Sequence, residues 1–94
     1  MRSARGVLCR IETRLENGKP FVHLAGRLSE AHVPDLLTAC ATDEPSVLEL
    51  DELISADAVG LDALLRLEQR GAELRGLPQY LRLKLEVLER EGKR

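Results

Sequence analysis

The chain has 94 residues, 44% of them apolar, and its 14 basic and 16 acidic side chains leave a net charge of -2. That length predicts one domain with one modest core, and the interspersed charges supply no broad positive field for nucleic acid. No apolar run approaches the roughly 20 residues that span a bilayer, and no signal-peptide pattern opens the chain, so a cytoplasmic protein without direct membrane insertion is expected.

Phe21 and Tyr80 are the only aromatic residues, so the core must be built from Leu, Val, Ile and Ala. In chain order, Val7, Cys9, Ile11, Thr13 and Leu15 alternate with Leu8, Arg10, Glu12 and Arg14. This two-residue period predicts a first strand with a dry face and a wetter face. Asn17 and Gly18 form the preferred pair for a tight hairpin turn, because both tolerate positive φ. A second, antiparallel strand is expected over 21–25, ended by Gly26.

Ser29 and Glu30 offer a helix start, one through a side-chain oxygen and the other through charge. Pro34 is comfortable only in a first turn, which places the start of the regular helix at about 31–33. Val33, Leu36, Leu37 and Cys40 then fall on one stripe. Residues 42–45 read as a loop and 47–50 as a short strand inside the sheet. Residues 51–56 read as an irregular connection.

From Gly60 to about Arg70, Leu61, Leu64, Leu65 and Leu67 predict a second amphipathic helix, with Asp62, Arg66, Glu68 and Arg70 toward water and Gly71 as its stop. Residues 72–75 leave space for a short strand. Leu77 and Pro78 open a third helix, with Leu77, Leu81, Lys84, Leu85 and Leu88 on one face and Arg82, Glu86 and Glu89 outside it. This order predicts an α/β domain: a mixed sheet of about four strands, an N-terminal antiparallel hairpin followed by parallel crossovers, packed with about three helices.

Few residues invite chemistry. Cys9 and Cys40 point inward from a strand and a helix stripe, whereas a reactive thiol needs an open, electropositive setting. With His23 and His32 they have no metal-ligand spacing. The acidic pairs Asp43-Glu44 and Asp51-Glu52 sit in polar loops, without the cleft that separates carboxyl pKa values for acid–base work. The glycines form no phosphate-binding pattern. Neither a catalytic residue, nor a metal, nor a cofactor is expected.

The segment LELDELISADAVGLDALL, residues 48–65, resembles the STAS domain of sulfate transporters and anti-sigma factor antagonists, whose signature is a strand ending L-x-L, a polar loop, D-S-S-G-L and an apolar helix. HLAGRLSEAHVPDL and GLPQYLRLKLE resemble two further family motifs, so the likeness spans roughly residues 7–88 of a single domain, 1–94. It implies a non-catalytic protein-interaction module whose partner is an anti-sigma factor or a similar kinase. The family also includes the STAS subunit of lipid-transport ABC complexes, which would bind a transporter subunit. A small ligand-binding protein is a further alternative.

Asp57, Gly60 and Leu61 match the motif, but Ala58 stands at the phosphoacceptor position and Val59 where a small polar residue is common. Alanine accepts no phosphoryl group, so the resemblance implies binding without the family's switch. Ser55 is the nearest hydroxyl. The expected partner surface is Ser55, Asp57, Ala58, Val59, Gly60 and Leu61, with Asp62 and Arg66 along the exposed side of the helix. An aspartate just before a helix also has a structural role as a cap. Set against the resemblance, a C-terminal shortening by the family's usual final strand and helix is expected, which would uncover surface that a homodimer can hide.

Overall fold

A computed structural model of the chain describes residues 9–41 and 44–92. Strands β1 (Cys9–Glu16) and β2 (Lys19–Leu28) lead into a 3-10 turn (Glu30–His32) and helix α1 (Val33–Ala39). There follow β3 (Val47–Ala56), α2 (Ala58–Gln69), β4 (Glu73–Arg75) and α3 (Gln79–Gly92). The expected strand residues Val7 and Leu8, and loop residues Thr42 and Asp43, lie outside the described residues.

The strands form one sheet in the order β1-β2-β3-β4. β1 and β2 are antiparallel, and β3 runs parallel to both β2 and β4, as the alternation of elements implies. Asn17 and Gly18 close the hairpin at φ values of 55° and 78°, the left-handed backbone that this pair tolerates. Gly71, at φ 110°, ends α2. Its N–H donates to the Glu68 carbonyl at 3.0 Å, while Ala72 N–H reaches back to Leu67 at 3.0 Å, which satisfies two carbonyls the helix leaves open.

Pairing registers and strand alternation put Val22, Leu24, Leu48 and Leu50 on one face of the sheet. They form a single core with Leu36 of α1, Leu61, Leu64 and Leu65 of α2, and Leu81 and Leu85 of α3. The described helices therefore all cover that face. Cys9 and Ile11 pack against its margin, but the dry face of β1 stops there. Thr13 is exposed and Leu15 is 71% exposed, because no helix reaches the hairpin end. Both cysteines are half-buried free thiols.

Several expectations need correction. Gly26 does not end β2, which runs on to Leu28; the glycine takes φ 97° inside the strand, next to a register shift against β3. The segment 51–56 is the second half of β3, paired with Ala25, Gly26, Arg27 and Leu28 across two irregularities. Asp51 and Glu52 thus sit on a strand, not in a loop. Helix α2 begins earlier, at Ala58. Leu37 leaves the buried stripe of α1 and Lys84 is exposed on α3, while Arg82 turns inward to place Nη1 3.2 Å from Glu68 of α2. An amphipathic stripe is wider in sequence than the contact a neighbouring helix makes.

The opposite face carries charge. Arg14 grips Glu49 with two hydrogen bonds of 2.9 and 3.0 Å and stacks 4.7 Å from the centre of the Phe21 ring, with Arg75 at 5.7 Å from the same ring. His23 sits between carboxylates, 3.0 Å from Glu52 and 3.6 Å from Glu49. The hydrogen bond to Glu52 is the main cause that raises the imidazole pKa above its ordinary value, against a smaller opposing effect of desolvation. A group whose folded pKa is raised stabilises fully below its unfolded value, about 6.5, and loses that contribution as pH rises through the folded value. His23→Gln should therefore narrow the stability margin most near pH 6 and least near pH 8.5. Urea midpoints at those two pH values check this, and an equal loss at both would refute it.

Candidate functional site

The two parallel strands β2 and β3 end side by side, Leu28 opposite Ala56, and the chain turns there into α2. Asp57 holds the turn in place. Its backbone N–H donates to the Leu28 carbonyl at 3.0 Å and its own carbonyl accepts from Leu61 N–H at 2.8 Å. One carboxylate oxygen accepts from Gly60 N–H at 2.8 Å, and the other from Glu30 N–H at 2.9 Å. A single side chain thus caps α2 and the 3-10 turn before α1, meeting free amides and the positive ends of both.

Gly60 is buried against the end of β2. A Cβ there would lie 3.0 Å from both Leu28 Cγ and the Leu28 carbonyl oxygen, so the close approach of α2 to β2 needs a residue without a side chain. Leu61, 6% exposed, anchors the first turn in the core. These two expected site residues support the surface from beneath.

The other six stand at or near the surface. Ala58 and Val59 are the first two residues of α2, and Val59 is 43% exposed. Asp62 and Arg66 form an ion pair at 2.8 Å one turn apart. Val59, Asp62 and Arg66 follow at helical spacing, which aligns them along one outer face for about 10 Å. Ser55 is half-buried at the end of β3, opposite Arg27.

Sequence reading did not find Ile54, a neighbour of this turn that is 57% exposed. It is the additional β3 residue where Gly26–Leu53 and Arg27–Ser55 pairings shift register, and a bulge of this kind turns a side chain out of its alternation. No pattern in LDELIS marks it, since the extra residue is defined only against β2. The second bond of Asp57, to an amide 27 residues away, also had no local signal.

Neither thiol of the described residues is poised as a nucleophile. Burial pushes the Cys9 and Cys40 thiol pKa values up, the reverse of what a reactive thiolate needs. Among the described residues, no group of three or more His, Cys, Asp or Glu side chains could hold a metal ion, and no helix is long and apolar enough to cross a membrane.

The geometry defines a small α/β domain whose distinctive surface is a capped, apolar helix start at the carboxyl edge of parallel strands. Its fold is STAS-like. The STAS domain of an anti-sigma-factor antagonist from Rhodobacter sphaeroides is similar, with a TM-score of 0.52 and 19% identity, over 77% of this chain and 98% of that one. An uncharacterized protein with a SpoIIAA-like fold from Shewanella loihica is similar at a TM-score of 0.45 and 15% identity, over 74% of this chain and 64% of that one. No protein-family model and no curated protein matches the chain.

Proposed function

We propose that this chain is a non-catalytic, cytoplasmic protein-interaction module of the anti-sigma factor antagonist kind, docking through the start of α2 without phosphorylation control at position 58. The reading rests on one observation: an apolar pair, Ala58 and Val59, stands exposed on a turn that Asp57 fixes by two side-chain hydrogen bonds. A small apolar spot on a rigid support loses little freedom when a partner covers it. The ion-paired Asp62 and Arg66 would then lie along its rim, where charge sets orientation more than affinity.

A hydroxyl at position 58 would put about two negative charges at this spot once phosphorylated, enough to expel an apolar partner surface. The alanine methyl group offers no such control. The partner is expected to be an anti-sigma factor or a related ATP-binding kinase.

The test uses the chain as bait in an extract of its native cell. Wild type should retain an ATP-binding regulator of this kind, and Val59→Arg should weaken retention by about tenfold or more by forcing a guanidinium into a dry contact. The folded state should tolerate that change within about 0.5 kcal/mol, because Val59 faces outward. Equal retention by both proteins would sink the surface, and a transporter ATPase as the retained partner would replace the reading with the transport-subunit alternative. Incubation of purified partner and ATP with the chain should leave residues 55–59 unmodified, whereas phosphate on Ser55 would overturn the switchless reading.

A further inference from the structure

The β1 edge of the sheet has its own pattern. β1 is the terminal strand, so its outer edge pairs with no described strand. An exposed edge of eight residues presents a row of unpaired amides and carbonyls, and edges of this kind are usually guarded by charged side chains, lysine above all, or by proline, a bulge or a cover. Here the charges are Arg10, Glu12, Arg14 and Glu16, of alternating sign. CRIETRLE contains neither lysine nor proline, and its pairing with β2 runs without a register shift.

Which groups face outward follows from the hairpin. Glu16 and Lys19 close a two-residue turn as paired residues, which in this turn type makes them a hydrogen-bonded pair. The even-numbered residues of β1 therefore exchange bonds with β2, and Cys9, Ile11, Thr13 and Leu15 direct their N–H and C=O groups to the open edge. An incoming antiparallel strand must pair with these.

We propose that β1 is a self-complementary edge that joins two copies of this chain into one continuous sheet, antiparallel about Thr13. In that register Thr13 pairs with Thr13 of the second copy, and Ile11 with Leu15. Both are hydrogen-bonded pairs built from the outward-facing groups. The side chains of Arg10, Glu12, Arg14 and Glu16 lie on the helix-free face in alternating sign. They fall at the intervening non-hydrogen-bonded pairs, where side chains come closest. Arg10 meets Glu16 of the second copy and Glu12 meets Arg14, so each of these cross-strand pairs is attractive. Alternation of charge along a strand gives this complementarity only when the axis passes through an odd residue, and the outward amides demand an odd residue. Arg10 pairs with Glu12 at 3.2 Å and Arg14 with Glu16 at 2.6 Å along the same strand; ion pairs this exposed contribute little, so they exchange readily for the cross-strand contacts.

Leu15 supplies the second observation. At 71% exposure it is the most exposed large apolar residue described, and this register sets it against half-buried Ile11 of the second copy, at the margin of that copy's core. Two-fold pairing of this kind closes on itself, so it ends at a dimer.

Sedimentation velocity on the full chain over a concentration series tests the proposal. Wild type should show a reversible monomer–dimer equilibrium that weakens as salt is raised. Arg10→Glu and Glu16→Arg each place two like-charge pairs across the axis and should each weaken association by about tenfold or more. An equimolar mixture of the two variants should restore it as a heterodimer, in which both contacts are again attractive. Circular dichroism confirms that each variant folds. A wild type that stays monomeric up to millimolar concentration would overturn the proposal, and so would variants that dimerise as well as wild type. Tyr80, Leu83 and Val87 form another exposed apolar stripe, on α3; a dimer lost on Leu83→Arg but kept in Arg10→Glu would move the interface to that helix and overturn the β1 edge.

Discussion

Gly60→Val should destabilise the domain by about 3 kcal/mol, at the upper end for forcing extra carbon into a packed site. The obstacle is backbone as well as side chain. The Leu28 carbonyl that would stand 3.0 Å from the new Cβ already accepts the Asp57 N–H at 3.0 Å, so it cannot turn aside without loosening the turn that presents Ala58 and Val59. Gly60→Ala makes the same contact but gains about 1 kcal/mol of helix propensity, so it should cost less than valine. Chemical denaturation of the three proteins gives the order wild type, alanine, valine. An alanine variant more stable than wild type would show that Leu28 yields freely and that the close approach is not constrained.

Asp57→Ala should cost about 2 kcal/mol, the loss of a good helix cap together with a second amide returned to water. In a domain of this size that lowers the melting temperature by roughly 10 °C. Asp57→Asn separates the two bonds. An amide side chain has one accepting oxygen, which can keep the cap on Gly60 but leaves Glu30 N–H without its partner, so asparagine should fall between alanine and wild type. Thermal melts followed by circular dichroism decide it, and an alanine variant melting within about 2 °C of wild type would remove Asp57 as the clasp of the site. The carboxylate acts here by position, and if α2 docks as proposed, its loss should weaken partner binding although Val59 would make the apolar contact.

Much of this architecture is legible in short stretches. Asn17 and Gly18 announce a hairpin because few residues tolerate their backbone angles. Ser29, Pro34 and Asp57 mark helix starts through the needs of free amides, and Gly71 marks a stop. The leucines of α2 show their period because 12 residues give more than three turns of it. The length of β3 was not legible in the same way: two irregularities against β2 break its alternation, and LDELIS then looks like a loop. The strand exists because β2 supplies partners for it. Leu15 and Leu37 look like core residues by period, yet cover for either depends on where a helix lies.

Turns, caps and amphipathic faces follow from dihedral preferences and hydrogen-bonding needs that act within a few residues, and these were enough to specify the element order; the absent hydroxyl at Ala58 is visible only against the motif that the segment resembles. Register, burial and the clasp made by Asp57 depend on groups far apart in the chain, Glu30 and Leu28 among them. Their free energy is gained only once β2 and β3 lie side by side, so it leaves no periodic trace in either segment. That Ala58 and Val59 are apolar could be seen in the residues alone; that they face outward on a turn clasped by Asp57 came from the packing of one sheet.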